Sequence, residues 1–126
     1  MRNVIFAAIS AVSLAGGANA QDTRIGSYMA LIGPEDLTNS SGARLTNAPA
    51  IIAQDRANYH RFGIRHELDE TDPWFAGRGH RMAIPELVVM SPATADVIVR
   101  QGALVAVTIY ADPTGQMTRM VVEIPG

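Results

Sequence analysis

Ala103–Ile124 reads ALVAVTIYADPTGQMTRMVVEI, and this stretch decides the fold. Ala103–Ala111 is rich in β-branched and aromatic residues, which suit a pleated, half-buried surface. Asp112-Pro113-Thr114-Gly115 follows with proline second and glycine fourth, the pattern of a type I turn. Gln116–Ile124 returns as a strand. Its even positions, Thr118, Met120, Val122 and Ile124, form one mostly apolar face, while Arg119 and Glu123 point the other way. Val105, Val107 and Ile109 are the matching inward set of the partner strand. A two-stranded hairpin is marginal alone, so another strand must join it. Ile25–Ile32, closed by Gly33-Pro34, is that strand, and it is placed beside the last one.

Between the strands the chain reads as helical. Glu35–Asn47 is a polar loop with a turn cluster at Asn39-Ser40-Ser41-Gly42. Thr46 or Asn47 can cap a helix opening at Ala48 with Pro49 in its first turn, and the helix runs to Phe62, where Gly63 stops it. Ile64–Thr71 is an acidic loop. Asp72-Pro73 repeats the cap-then-proline signal for a second helix carrying Trp74, Phe75 and Met82, weakened by Gly77, Gly79 and Pro85. Leu87–Met90 continues as an apolar turn, and Ser91-Pro92 opens a third helix to Gln101, stopped by Gly102. The expected fold is α+β: a small, three-stranded, mainly antiparallel sheet in the order β-ααα-ββ, with helices packed on one face.

Residues 1–20, MRNVIFAAISAVSLAGGANA, have the form of a cleaved signal peptide: one arginine, an apolar run, then Ala18-Asn19-Ala20. The run is too short to span a bilayer comfortably. Residues 21–126 are then a single small domain in the periplasm or outside the cell, with no membrane insertion after cleavage, and the short, lysine-free leader suggests a bacterium. Removal of Arg2 leaves nine arginines against twelve acids, a net charge near −3.

Composition excludes much. The 126 residues include no cysteine, so a disulfide framework, a thiolate nucleophile and a Cys-rich zinc site are excluded. There is no lysine, hence no Schiff base and no Walker lysine. A formal charge of −2 argues against bulk nucleic-acid binding. No GxSxG, P-loop or HExxH stands in the chain, and neither cofactor nor metal is expected. The acidic run His66–Asp72 offers oxygen ligands but lacks EF-hand spacing, and an acidic loop is ordinarily solvated.

The stretch Ile51–His66, IIAQDRANYHRFGIRH, is the most informative for function. At ~100° per residue, Ile51, Ile52, Tyr59 and Phe62 share one arc of the helix. Asp55 falls inside that arc and Asn58 at its edge, while Arg56, His60 and Arg61 fall outside. A buried carboxylate needs a cation or several donors, and Arg44, Arg65 and Arg81 are the candidates. Asp55 is then either a structural ion pair, the expected case, or a tuned acid. His60 diverges from Asp55 by about 140°, too far for contact on one straight helix. Arg56, Arg61, Arg65, Arg78 and Arg81 flank the acidic loop. They can gather an anion, but with both signs interleaved they are expected to pair with Glu67, Asp69, Glu70 and Asp72. Trp74 and Phe75 are expected in the core.

No catalytic residue is assigned. The binding candidates are Asp55, Arg56, Tyr59, His60, Arg61, Arg65 and His66. The expected function is a small non-catalytic interaction or binding module whose partner is a periplasmic or envelope protein. A small hydrolase or anion-binding enzyme built on Asp55 with nearby histidine and arginine is the alternative.

Overall fold

The structure is a computed structural model that describes residues 21–126. The signal peptide expected over residues 1–20 lies outside the described residues. The elements are β1 (Thr23–Leu31), a 3-10 turn (Pro34–Leu37) at the start of the expected polar loop, α1 (Ala48–Ala57) continued by a wide π turn (Asn58–Phe62), α2 (Arg78–Leu87), β2 (Val88–Val89), α3 (Pro92–Gln101), β3 (Leu104–Ala111) and β4 (Met117–Glu123). The class is α+β, with three helices packed on a sheet.

The sheet differs from expectation in three ways. It has four strands in the order β1-β3-β4-β2, and it is mixed, because β2 runs parallel to β4 through Val88↔Met120 and Val89↔Val121. The expected apolar turn at Leu87–Met90 is thus an edge strand. Helix α2 ends two residues past Pro85, and Val88 leaves it with extended dihedrals, where two valines suit a ladder. The first strand lies beside β3, not beside the last strand: Tyr28 faces Val107 and Leu31 faces Leu104, antiparallel. The two hairpin strands, β3 and β4, are thereby the inner pair, and β1 and the short β2 are the edges.

The hairpin forms as read. Gly115 N–H donates to the Asp112 carbonyl at 2.9 Å, and Asp112 Oδ1 accepts from Thr114 and Gln116. Val105, Val107, Ile109, Met120 and Val122 are buried and meet Ile51, Ile52, Ile84 and Ile98 from the helices. Ile124, expected on that face, lies past the end of β4 and is partly exposed. Thr118 instead gives its hydroxyl to Asp22 at 2.7 Å.

Helix α1 starts as expected, with Asn47 Oδ1 accepting from Ala50 N–H at 2.9 Å and Pro49 in the first turn. Gly63 stops it at φ +70°, a left-handed cap that glycine adopts without strain. Asp72-Pro73 opens no helix. Asp72 Oδ1 accepts from Trp74 and Phe75 N–H at 2.9 and 2.6 Å, as a cap would, but the chain then sends Phe75 into the core edge-on to Tyr28. Helix α2 begins only at Arg78 and stays intact through Gly79 and Pro85. Its buried Ile84 holds it against the core, and Arg81 donates back to the carbonyls of Phe75 and Ala76. No described helix is long and apolar enough to cross a membrane.

Candidate functional site

Asp55 is buried, as its place on the apolar arc requires. Its partner is none of the three expected arginines. Arg44 donates to the carbonyls of Leu45 and Val99, Arg65 to that of Tyr59, and Arg81 to those of Phe75 and Ala76. The partner is the adjacent residue, Arg56, placed outside the arc by the projection but 0% exposed in the fold. Its side chain runs back beneath β1, a reach that a straight-helix projection of Cα positions does not capture.

Arg56 is the hub of a buried network. Nε donates to Asp55 Oδ2 at 2.8 Å, and Nη1 donates to Asp72 Oδ2 at 2.7 Å and to the Glu70 carbonyl at 3.2 Å. The guanidinium lies 4.1 Å from the Tyr28 ring centroid and 4.7 Å from that of Tyr59. Arg65 lies 4.2 Å from the Tyr59 ring, so two cations and two aromatic rings adjoin in one group. His60 Nε2 is 2.8 Å from Asp72 Oδ2. Asp55 and His60 are therefore joined only through Arg56 and Asp72.

Burial pushes the Asp55 carboxyl up to about 7, with Arg56 only partly offsetting it. Burial also works against the charge on Arg56, but the carboxylates of Asp55 and Asp72 outweigh it and hold the guanidinium protonated. At Asp72 burial raises the carboxyl, and the hydrogen bonds from His60, Arg56 and Phe75 N–H overcome it and hold it below the ordinary carboxylate value. Tyr28 is pushed far up by burial.

A second cluster centres on His66. Its Nε2 is 2.9 Å from Glu35 Oε1, and its Nδ1 lies 3.4 Å from Asp69 Oδ2 and 4.0 Å from Asp36 Oδ2. The hydrogen bond to Glu35 raises the imidazole above its ordinary value, and the same bond lowers Glu35. Asp36 is raised by burial although Asn58 and Gly33 donate to it.

The acidic loop is not simply solvated. Asp69 Oδ1 accepts from Leu31 N–H at 2.8 Å and Glu70 Oε1 from Met29 N–H at 2.9 Å, while Glu70 N–H donates to the Met29 carbonyl. Two carboxylates thus cover donors on the outer edge of β1, which would otherwise offer a pairing template. Among the described residues no group of three or more histidine, aspartate or glutamate side chains is arranged to hold a metal ion.

The surface side of the α1 segment is different in kind. The π turn adds residues to the last turn and rotates the helix phase, so Phe62, expected in the apolar arc, is 43% exposed. It borders a groove of about 300 Å³ between α1 and α2, with Leu45, Ala53, Ala57, Met82, Arg61 and Arg78 among its walls. Met82 is 62% exposed. The expected pairing of the flanking arginines with the acidic loop is realised only at Arg56. Arg61 and Arg78 have no hydrogen-bond or ion-pair partner among the described residues. Every other arginine described is held, Arg24 by Ser27, Arg100 by Asp96 and Arg119 near Asp22.

Of the seven binding candidates, the fold therefore brings Asp55, Arg56, Tyr59 and His60 together inside, with Arg65 laid over Tyr59. It places His66 in the second cluster and Arg61 on the groove. The site residues that the sequence did not single out are Tyr28 and Asp36; Asp72 and Arg78 were expected in a surface ion-pair network, and of the two only Asp72 pairs, with Arg56 in the interior. Asp72 carried both a cap signal and an expected pairing with an arginine, and the fold uses both, one on each carboxylate oxygen. Comparison of the chain with protein-family models, curated proteins and solved structures finds no match.

Proposed function

We propose that this chain is a non-catalytic binding module that acts outside the cytoplasm and holds a periplasmic or envelope protein on the face formed by α1, its π turn and α2. One observation carries the reading: Arg61 and Arg78, which have no polar partner among the described residues, border the same groove, beside exposed Phe62 and Met82. Exposed apolar side chains next to unpaired arginines have the composition of an interaction surface. The burial of Asp55 and Arg56 favours this reading over a hydrolase built on them, because such an enzyme must bring its acid to a substrate. The leader-like residues 1–20 support the address.

Crosslinking in the native envelope, read by mass spectrometry, tests the proposal. The wild type is compared with an Arg61→Ala, Arg78→Ala double variant whose circular dichroism is unchanged. A stoichiometric partner captured by the wild type and lost by the variant is the expected result. Failure of the wild type to capture any partner overturns it.

A further inference from the structure

We infer that the groove between α1 and α2 takes an acidic polypeptide segment that inserts an apolar side chain between Arg61 and Arg78; this deepens the binding-module reading and rests on it. The groove walls contain arginine but no aspartate or glutamate, so its charge is of one sign. Elsewhere among the described residues arginines find a carboxylate, a carbonyl or, at Arg24, the Ser27 hydroxyl within the fold, and these two are left for an external acceptor. A carboxylate matches the guanidinium fork and can be bound bidentately.

Apart from Arg61 and Arg78 the lining is mostly apolar, with Ser40 and Gln54 uncharged and Arg81 turned to the carbonyls of Phe75 and Ala76. Ala53 and Ala57 present short side chains on α1, which leave the helix surface open to close approach. Phe62 and Met82 stand at its margin, and methionine adapts its shape to varied apolar partners. A volume of about 300 Å³ accommodates one or two aliphatic side chains and is small for a folded surface. The fitting occupant is a polypeptide segment with an apolar anchor and carboxylates on either side of it.

The probe is a short peptide of alternating glutamate and leucine pairs, titrated into the isotope-labelled protein and followed by backbone amide shifts. Two controls carry lysine for glutamate and serine for leucine. Shifts confined to the groove are expected with the acidic peptide, and neither control should reproduce them. The Arg61→Glu, Arg78→Glu variant should bind about tenfold more weakly, two exposed ion pairs having been reversed. Met82→Asp should weaken binding by a similar factor without touching either arginine. Retained amide dispersion verifies the fold of each variant. Absent shifts, shifts centred elsewhere, an equal response to the lysine peptide, or indifference to the arginine reversal each overturns the proposal. A concentration-dependent dimer of the free protein that the peptide dissociates assigns the groove to a second copy and overturns it as well. A native partner crosslinked on this face through a basic or uncharged segment overturns this occupant but leaves the binding-module reading standing. Groove-specific peptide binding with no native partner captured has the opposite consequence.

Discussion

Arg56 Nη1 and Asp72 Oδ2 meet at 2.7 Å, and neither side chain has any exposure to solvent. Asp72 is sixteen residues further along the chain. The contact therefore ties the loop after Gly63 to α1 and fixes where Phe75 enters the core. Removing one member of a buried pair leaves the other charge without compensation, and here Asp55 would lose its ion-pair partner while Asp72 would keep only His60 and the N–H groups of Trp74 and Phe75. Arg56→Met is expected to cost roughly 3–5 kcal/mol. Arg56→Lys should recover little, since a single ammonium cannot serve both carboxylates and lie flat over two rings. Urea denaturation monitored by tryptophan fluorescence measures both, and a loss under about 1 kcal/mol in Arg56→Met would sink the hub role.

The Tyr28 hydroxyl is buried without a hydrogen-bond partner among the described residues. Its ring is well used, packed under Arg56 and edge-on to Phe75, but its oxygen is desolvated for no return. Tyr28→Phe keeps the ring and removes the oxygen. Stability is expected to be unchanged or to rise by up to about 1.5 kcal/mol, because an unsatisfied buried group is lost. A fall of more than about 1 kcal/mol would mean that the hydroxyl is satisfied in solution.

Much of the fold was legible because local signals and tertiary packing agree. The alternation from Val105 to Ile109, the Asp112–Gly115 turn, the Asn47 cap and the Gly63 stop each specify one conformation, and the fold uses each. Legibility failed where a residue serves two purposes or where the periodicity changes. Asp72 caps Trp74 and Phe75 with one oxygen, but its other oxygen belongs to Arg56 and His60, and no helix follows. Phe62 sits on the apolar arc only if the helix keeps its α period, and the π turn breaks that period just before it. Arg56 was invisible as the partner of Asp55 because neighbouring residues diverge on a helix. A two-residue strand such as Val88–Val89 carries too little pattern to announce itself.

Gly102 ends α3 at φ +77°, and a Cβ there would collide with the Ile32 carbonyl oxygen. Ile32 N–H is in turn bonded to the Ala103 carbonyl at 2.8 Å, so this approach sets the start of the β1–β3 ladder. Gly102→Ala meets both an unfavourable dihedral and backbone that cannot move aside cheaply. The expected loss is more than about 1 kcal/mol. Gly42→Ala, at φ +89° with open space around it, should cost only about the dihedral penalty of 1 kcal/mol. Thermal melts of the two variants compare them directly, and equal losses would contradict the clash.

Three titrating groups give the stability a common pH slope. Asp55 is raised from 3.8 to about 7 by burial, and Asp36 is raised by burial as well. His66 is raised from 6.5 by its bond to Glu35. Each binds a proton more readily folded than unfolded, so between the ordinary carboxylate range and neutrality the native state carries the extra protons, and stability falls as pH rises through that window. The histidine contribution is complete below 6.5 and is lost above it. Glu35 and Asp72 are lowered, so their contributions disappear below 4.5 and 3.8. Stability should therefore peak near about pH 4 and decline toward about pH 8. Asp55→Asn keeps an acceptor for Arg56 Nε and removes the titration. Its profile between about pH 4 and pH 7 should be visibly flatter than that of the wild type. Asp36 and Asp69 face Asp55 and raise it further, so the variant should also be relatively more stable at the alkaline end. Urea midpoints across this range measure both profiles. A flat wild-type profile, or a steeper one in Asp55→Asn, would show that Asp55 stays ionised in the folded protein, with Arg56 fully compensating its burial.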